Sequence, residues 1–164
     1  MRKQAGGESG LTLLELAVTL AVIGLIAAIA VPSMGKVIPH VKLNSAVSQL
    51  TNDLNIARYR GISGNFKTRV VFNTGASTYT RWIDKNRNGA FDAGEEDILN
   101  RTMPSGVTFV TASTSPHVGF DPVGTAEDGT ASVTDIPVTL AGSQNPPETR
   151  QITVNRAMGL VKLN

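Results

Sequence analysis

A stretch of twelve residues near the middle of the chain contains oxygen-bearing side chains at the spacing of a calcium-binding loop. The run from Asp84 to Glu95 fits the pattern D-x-N-x-N-G with a glutamate in the twelfth place. Ca²⁺ takes about six to eight oxygen ligands, and a glycine in sixth place, here Gly89, permits the sharp turn of such a loop. The sequence therefore predicts a weak calcium site whose oxygens come from Asp84, Asn86, Asn88, Ala90 (its carbonyl), Asp92 and Glu95.

The same residues also fit a hairpin that holds no ion. The flanking stretches, residues 80–83 and 97–99, resemble strands, whereas the calcium template is usually flanked by helices. Lys85 and Arg87 reduce the negative charge of the loop, and Asn88-Gly89 is a common hairpin turn. The sequence leaves both interpretations open.

The second candidate site is the carboxylate of Glu15, which lies inside an apolar run from Leu11 to Val31. As a helix this run is about 31 Å long, which matches the hydrocarbon core of a bilayer. A charge in a membrane helix costs several kcal/mol unless a partner satisfies it, and the run contains no Lys or Arg. Cleavage after Gly10 would supply such a partner, because it creates an α-amino group on each neighbouring copy. The alternative is an ordinary signal anchor with a chance glutamate.

Basic side chains near the C-terminus form a third candidate site. Arg150, Arg156 and Lys162 could attract DNA phosphates, and such binding depends strongly on salt. Ordinary solvated charges on strands explain the same residues.

The composition argues against several other classes of protein. The chain has 164 residues, a net charge of +2 and no cysteine, which excludes disulfides and cysteine metal sites. It shows neither a nucleophile elbow nor a phosphate-binding glycine loop. We therefore expect a protein that is not an enzyme and requires no cofactor.

The elements around these sites follow from the residue pattern. After the apolar run, apolar residues recur at helical spacing, until Gly61 and Gly64 stop the helix. This stripe, suited to lying on a sheet, consists of Leu43, Val47, Leu50, Leu54 and Ala57.

The remainder of the chain has β patterns. A hairpin turn at 74–77 joins two of six or seven predicted strands, which cover 68–73, 78–83, 106–112, 118–120, 136–140, 151–155 and 160–163. Segments 121–135 and 141–148 are predicted loops. The fold class is therefore α+β, with a long N-terminal helix packed on a C-terminal antiparallel β domain.

The stretch Gly10-Leu11-Thr12-Leu13-Leu14-Glu15-Leu16 resembles the prepilin motif of type IV pilins and type II secretion pseudopilins. The resemblance implies that prepilin peptidase cleaves between Gly10 and Leu11 and that Leu11 is then N-methylated. It also implies that Glu15 contacts the terminal amine of the adjacent subunit in a filament. The first mature residue of the family is usually Phe, whereas here it is Leu11.

The stretch from Ala57 to Ile62, followed by Thr68 to Phe72, resembles the GspH/FimT family. This resemblance implies a minor pseudopilin or minor pilin, a structural subunit of a type II secretion pseudopilus or type IV pilus. D-x-N-x-N-G hairpins recur in that family without implying metal. The alternative is a DNA-binding minor pilin used in DNA uptake, although the Gly-Arg-x-Arg stretch of such members is replaced here by Gly-Leu-Val-Lys at 159–162.

These observations divide the chain into a leader at 1–10, a transmembrane and filament-core helix at 11–31, an amphipathic continuation at 32–63 and a periplasmic β-rich domain at 64–164. Arg2 and Lys3 keep the N-terminus cytoplasmic by the positive-inside rule, so the protein spans the inner membrane once before it enters a filament. The expected partners are other pilin or pseudopilin subunits, prepilin peptidase and the inner-membrane assembly platform.

Overall fold

The computed structural model describes residues 12–110, 117–129 and 135–163, without the side chains of 32–34 and 36. The chain divides into two compact units, the first ending at Val37 and the second beginning at Ile38. The leader, Gly10 and Leu11 lie outside the described residues.

One helix, α1, extends from Leu13 to Gly64. Thr12 caps its start: the Thr12 side-chain oxygen accepts a hydrogen bond from the Glu15 backbone N–H at 3.2 Å. At the other end Asn65 has a φ of 55°, a left-handed conformation that is common just after a helix. The helix therefore ends at one of the two glycines that the sequence indicates as stops.

Within the second unit the predicted apolar stripe of α1 faces the core. Its five members and Ala46 are almost completely buried. The helix also bonds directly to the sheet, because Thr68 donates its hydroxyl to the Ala57 carbonyl at 2.9 Å and Tyr79 donates to Asp53 at 2.6 Å. Apolar packing and two buried hydrogen bonds thus hold the helix on the strands.

Nine strands form two antiparallel sheets in the described part of the chain. The five-stranded sheet has the order β3-β2-β1-β5-β6, and its strands are β1 Lys67–Asn73, β2 Thr78–Asp84, β3 Glu96–Thr102, β5 His117–Phe120 and β6 Ala126–Glu127. The four-stranded sheet has the order β4-β7-β8-β9, and its strands are β4 Thr108–Phe109, β7 Ile136–Ala141, β8 Thr149–Val154 and β9 Val161–Leu163.

The core of the second unit draws on the helix and on both sheets. An aromatic cluster links the two sheets: the rings of Phe72 and Phe109 are 5.2 Å apart, and Tyr79 meets Phe109 edge to face at 6.4 Å. Aromatic pairs in such geometries add to the free energy gained by burial alone. The second unit therefore has a hydrophobic core of its own.

The structure differs from the sequence prediction at three strands. The predicted loop 121–135 contains β6, which forms because the short segment Ala126–Glu127 pairs with the free edge of β5. The predicted strand 106–112 is observed only as Thr108–Phe109, and residues 111 and 112 lie outside the described residues. The edge strand β3 extends over Glu96–Thr102, beyond the Asp97–Leu99 stretch that has a strand-like pattern.

Candidate functional site

The first unit exposes an apolar helical surface. The segment Leu13–Val31 of α1, 19 residues with a mean hydropathy of 2.5, is long and apolar enough to cross a membrane. Every side chain from Thr12 to Val31 is exposed to its surroundings. A contiguous apolar surface of this size requires lipid or other protein chains to cover it.

Glu15 lies in the first turn of α1, next to the capping residue Thr12. The Thr12-x-x-Glu15 spacing is that of a capping box, and a carboxylate there also interacts favourably with the positive end of the helix dipole. The structure therefore places the predicted assembly residue at the very start of the helix.

The loop between β2 and β3 contains the predicted calcium ligands. The last strand pair before the loop is Ile83 with Glu96, so Asp84 and Glu95 close the loop from opposite sides. Asp84 is fully buried, and its Oδ2 accepts hydrogen bonds from Arg69 Nε and from the Gly89 backbone N–H, both at 3.0 Å. Gly89 has a φ of +80°, and an added Cβ would lie 3.0 Å from the Arg69 guanidinium. The glycine is therefore required by the turn and by the close approach of Arg69.

Hydrogen bonds within the loop organise the remaining predicted ligands. The side-chain oxygens of Asn86 and Asn88 accept from backbone N–H groups two residues further on, at 3.1 and 2.8 Å. Their amide groups both donate to Asp92 Oδ2, at 2.7 and 2.6 Å, and these bonds, that of Asn86 first, lower the pKa of Asp92 below its usual value. Glu95 Oε2 accepts from the Asp92 backbone N–H at 3.2 Å.

The two carboxylates that close the loop each have one buried oxygen without a hydrogen bond. These atoms are Asp84 Oδ1 and Glu95 Oε1. Within the described residues, however, no group of three or more His, Cys, Asp or Glu side chains is arranged to hold a metal ion. Asp84 and Glu95 thus flank the base of the loop, whereas the Asp92 carboxylate is turned towards the two asparagine amides.

Sequence reasoning did not identify an aromatic contact that joins the loop to the sheet. The rings of Trp82 in β2 and Phe91 in the loop are 5.5 Å apart and meet edge to face. They line an apolar cavity of about 330 Å³ whose other lining residues are Val71, Thr80, Ile98 and Asn100. Trp82 and Thr80 occupy alternate positions of β2 and therefore share one face of the sheet, which is the pattern that would have indicated this cavity.

The basic residues near the C-terminus are spread over different settings. Arg150 in β8 forms an ion pair with Glu148 at 2.7 Å. Arg156 forms an ion pair with the buried Asp128. Lys162 is exposed in β9. Two of the three predicted DNA contacts thus face carboxylates, which is the ordinary structural role for such charges.

Comparison with known proteins agrees with this architecture. The family model for type II transport protein GspH matches residues 46–158. The pilin-like protein PilA1 of Thermus thermophilus is 35% identical over 88 residues, which are 53% of this chain and 55% of PilA1. The chain thus spans about half the length of that curated relative.

Solved structures with the same fold include a minor pilin and a minor pseudopilin. The type IV minor pilin FimU of Pseudomonas aeruginosa has a TM-score of 0.59 at 16% identity, covering 76% of this chain and 90% of FimU. The minor pseudopilin EpsH of the Vibrio cholerae type 2 secretion system has a TM-score of 0.55 at 15% identity, covering 75% of this chain and 96% of EpsH. The predicted α+β pilin-like fold is confirmed, and the chain belongs to the GspH family of type II transport proteins.

Proposed function

We propose that this protein is a structural subunit, a minor pseudopilin or minor pilin, of a type II secretion pseudopilus or type IV pilus. The observation that supports the proposal most strongly is the exposed apolar segment Leu13–Val31 in a chain whose second unit has its own core and the GspH fold. A filament built from such subunits buries the apolar helices against one another and presents the β domains outside.

We infer the cleavage and methylation steps from Arg2, Lys3 and the prepilin motif at residues 10–16. Arg2 and Lys3 favour a cytoplasmic N-terminus, with the β domain on the opposite, periplasmic side of the inner membrane. Prepilin peptidase would remove residues 1–10 by cutting between Gly10 and Leu11, and Leu11 would then receive a methyl group. The assembly platform in the inner membrane would take up the processed subunit.

Glu15 would guide assembly through a charge pair. A carboxylate within a membrane span is costly, and this cost is relieved when a cation lies beside it. The α-amino group of Leu11 on a neighbouring subunit is such a cation. Because Glu15 lies in the first turn of α1, its carboxylate is near the level of that amine when two helices pack side by side.

Small residues on the same segment would permit close packing of helices. A Cβ added at Gly24 meets nothing within 4 Å, so that position is open to an approaching neighbour. Glycine and alanine let helix backbones approach closely in membranes, and the segment also contains Ala27, Ala28 and Ala30.

The test is the incorporation of variants into filaments. Glu15→Val should leave membrane insertion intact but reduce the amount of this subunit in the sheared filament fraction at least tenfold. The control Glu96→Gln, which alters an exposed carboxylate of the second unit, should assemble normally. Normal incorporation of Glu15→Val would contradict the charge pair.

A further inference from the structure

The loop between β2 and β3 has an excess of negative charge at its base. Asp84 and Glu95 lie next to the strand pair Ile83 and Glu96, so the two residues flank the base of the loop on facing segments of the chain. Both side chains are at least nine-tenths buried, with exposures of 0% and 9%. Two buried carboxylates side by side repel each other unless cations or hydrogen bonds satisfy them.

Hydrogen bonds satisfy these two carboxylates only in part. Asp84 uses Oδ2 for Arg69 and Gly89, and Glu95 uses Oε2 for the Asp92 backbone. Asp84 Oδ1 and Glu95 Oε1 are buried without any hydrogen bond. A buried carboxylate oxygen without a partner is costly, so these two atoms indicate a place for a positively charged ligand.

The cations of the neighbourhood neutralise this pair only in part. Lys85 forms its ion pair with Glu96, outside the loop, and Arg87 donates to the Asn65 carbonyl. Arg69 divides its guanidinium between Asp84 and Glu127, at 3.0 and 3.2 Å. The side chains of Lys85 and Arg87 thus bond to groups outside the loop. By contrast, Asp84, Asp92 and Glu95 each accept at least one hydrogen bond from a residue within the loop.

We propose that the loop Asp84–Glu95 binds one calcium ion, with Asp84 Oδ1 and Glu95 Oε1 as its anchoring ligands. Oxygens of Asn86, Asn88 and Asp92 and the Ala90 carbonyl complete the shell. Binding exchanges the two amide hydrogen bonds of Asp92 for the ion. Calcium fits better than magnesium because it accepts a flexible shell with many oxygens, whereas magnesium demands a strict octahedron. The proposal concerns the second unit alone and does not depend on filament assembly.

The single tryptophan of the chain permits a direct test. Terbium occupies calcium sites, and an excited tryptophan nearby sensitises its emission. Trp82 is two residues from Asp84 and contacts Phe91 of the loop. With the detergent-solubilised full chain stripped of metal, we expect saturable terbium emission that calcium displaces at about 0.1–1 mM, the range of extracellular calcium modules. Magnesium at the same concentrations should leave the emission unchanged.

Two variants distinguish this site from surface binding. Glu95→Gln keeps the shape of the side chain but removes the charge, and it should weaken terbium and calcium binding at least tenfold. Glu96→Gln, the adjacent exposed carboxylate outside the loop, should bind as the wild type does. If Glu95→Gln does not fold, as judged by its circular dichroism without metal, Asp92→Asn replaces it and should show a similar loss.

Calcium should also stabilise the protein against heat. At about ten times the wild-type dissociation constant, we expect the Tm of the wild type to rise by about 5 °C and that of Glu95→Gln to rise by less than about 2 °C. The proposal is wrong if terbium emission is absent, if calcium does not displace it, if magnesium displaces it equally well, or if Glu95→Gln binds as tightly as Glu96→Gln.

Discussion

Leu20 and Leu50 are the same residue type in the same helix, yet Leu20 is 60% exposed and Leu50 is fully buried. Leu50 belongs to the second unit, where strands of the same chain cover the helix. Leu20 belongs to the first unit, where the described residues supply no cover. The difference shows that α1 has two roles: its second half helps to form a folded domain, and its first half requires lipid or other chains.

The largest effect on stability is expected when each of these two leucines is replaced by alanine. Leu50→Ala removes a buried side chain from the core and should lower the free energy of unfolding by about 3 kcal/mol. Leu20→Ala should change it by less than about 0.5 kcal/mol, because this side chain is largely exposed. Urea unfolding of the detergent-solubilised chain, followed by Trp82 fluorescence, measures both. Equal losses from the two variants would contradict the division.

A smaller effect is expected at the polar contact between α1 and β2. Tyr79 donates a 2.6 Å hydrogen bond to the buried Asp53, which Arg101 also approaches at 3.5 Å. Tyr79→Phe should lower the free energy of unfolding by about 2 kcal/mol, since a buried hydrogen bond to a charged acceptor is lost. Tyr59→Phe, which alters an exposed tyrosine of α1, serves as the control and should have little effect on the free energy of unfolding. A loss below about 0.5 kcal/mol for Tyr79→Phe would show that this bond does not hold the helix on the sheet.

The smallest effect concerns pH. Burial, and after it the Arg69 guanidinium, lowers the pKa of His117 in β5 below its ordinary value of 6.5, while Glu127 and Asp128 act in the opposite direction. The unfolded chain therefore takes up this proton first, and stability should fall as the pH drops below about 6.5 towards the lower pKa of the folded state. His117→Gln should reduce the difference in Tm between about pH 7.5 and about pH 5.5. An unchanged difference would mean that His117 does not titrate on unfolding.

The second half of the helix and strands β1 and β2 could be predicted from the sequence because their patterns are regular. The stripe from Leu43 to Ala57 repeats at helical spacing, and all its members are buried as predicted. Strands β1 and β2 match the predicted ranges within one residue at each end. The two residues of β6 are too few to show any period, and they become a strand only because β5 offers an open edge.

The candidate sites were predictable to different degrees. The template at 84–95 named the loop residues in order, and the position of Asp84 opposite Glu95 follows once β2 and β3 pair. The sequence could not show that Asp84 and Glu95 each retain a buried oxygen without a partner, because Arg69 and Glu127 lie far from the loop in the chain. Equally, the ion pair of Arg156 with Asp128 requires two segments that only the fold brings together.

The most direct test of the filament-subunit proposal is the intact mass of the protein recovered from membranes of hosts with and without prepilin peptidase. We expect the peptidase-containing host to yield a chain without residues 1–10, beginning at Leu11 and carrying one added methyl group, and the deficient host to yield the whole chain. A chain that stays uncut in both hosts would leave Glu15 without a terminal amine to pair with and would contradict the proposed assembly.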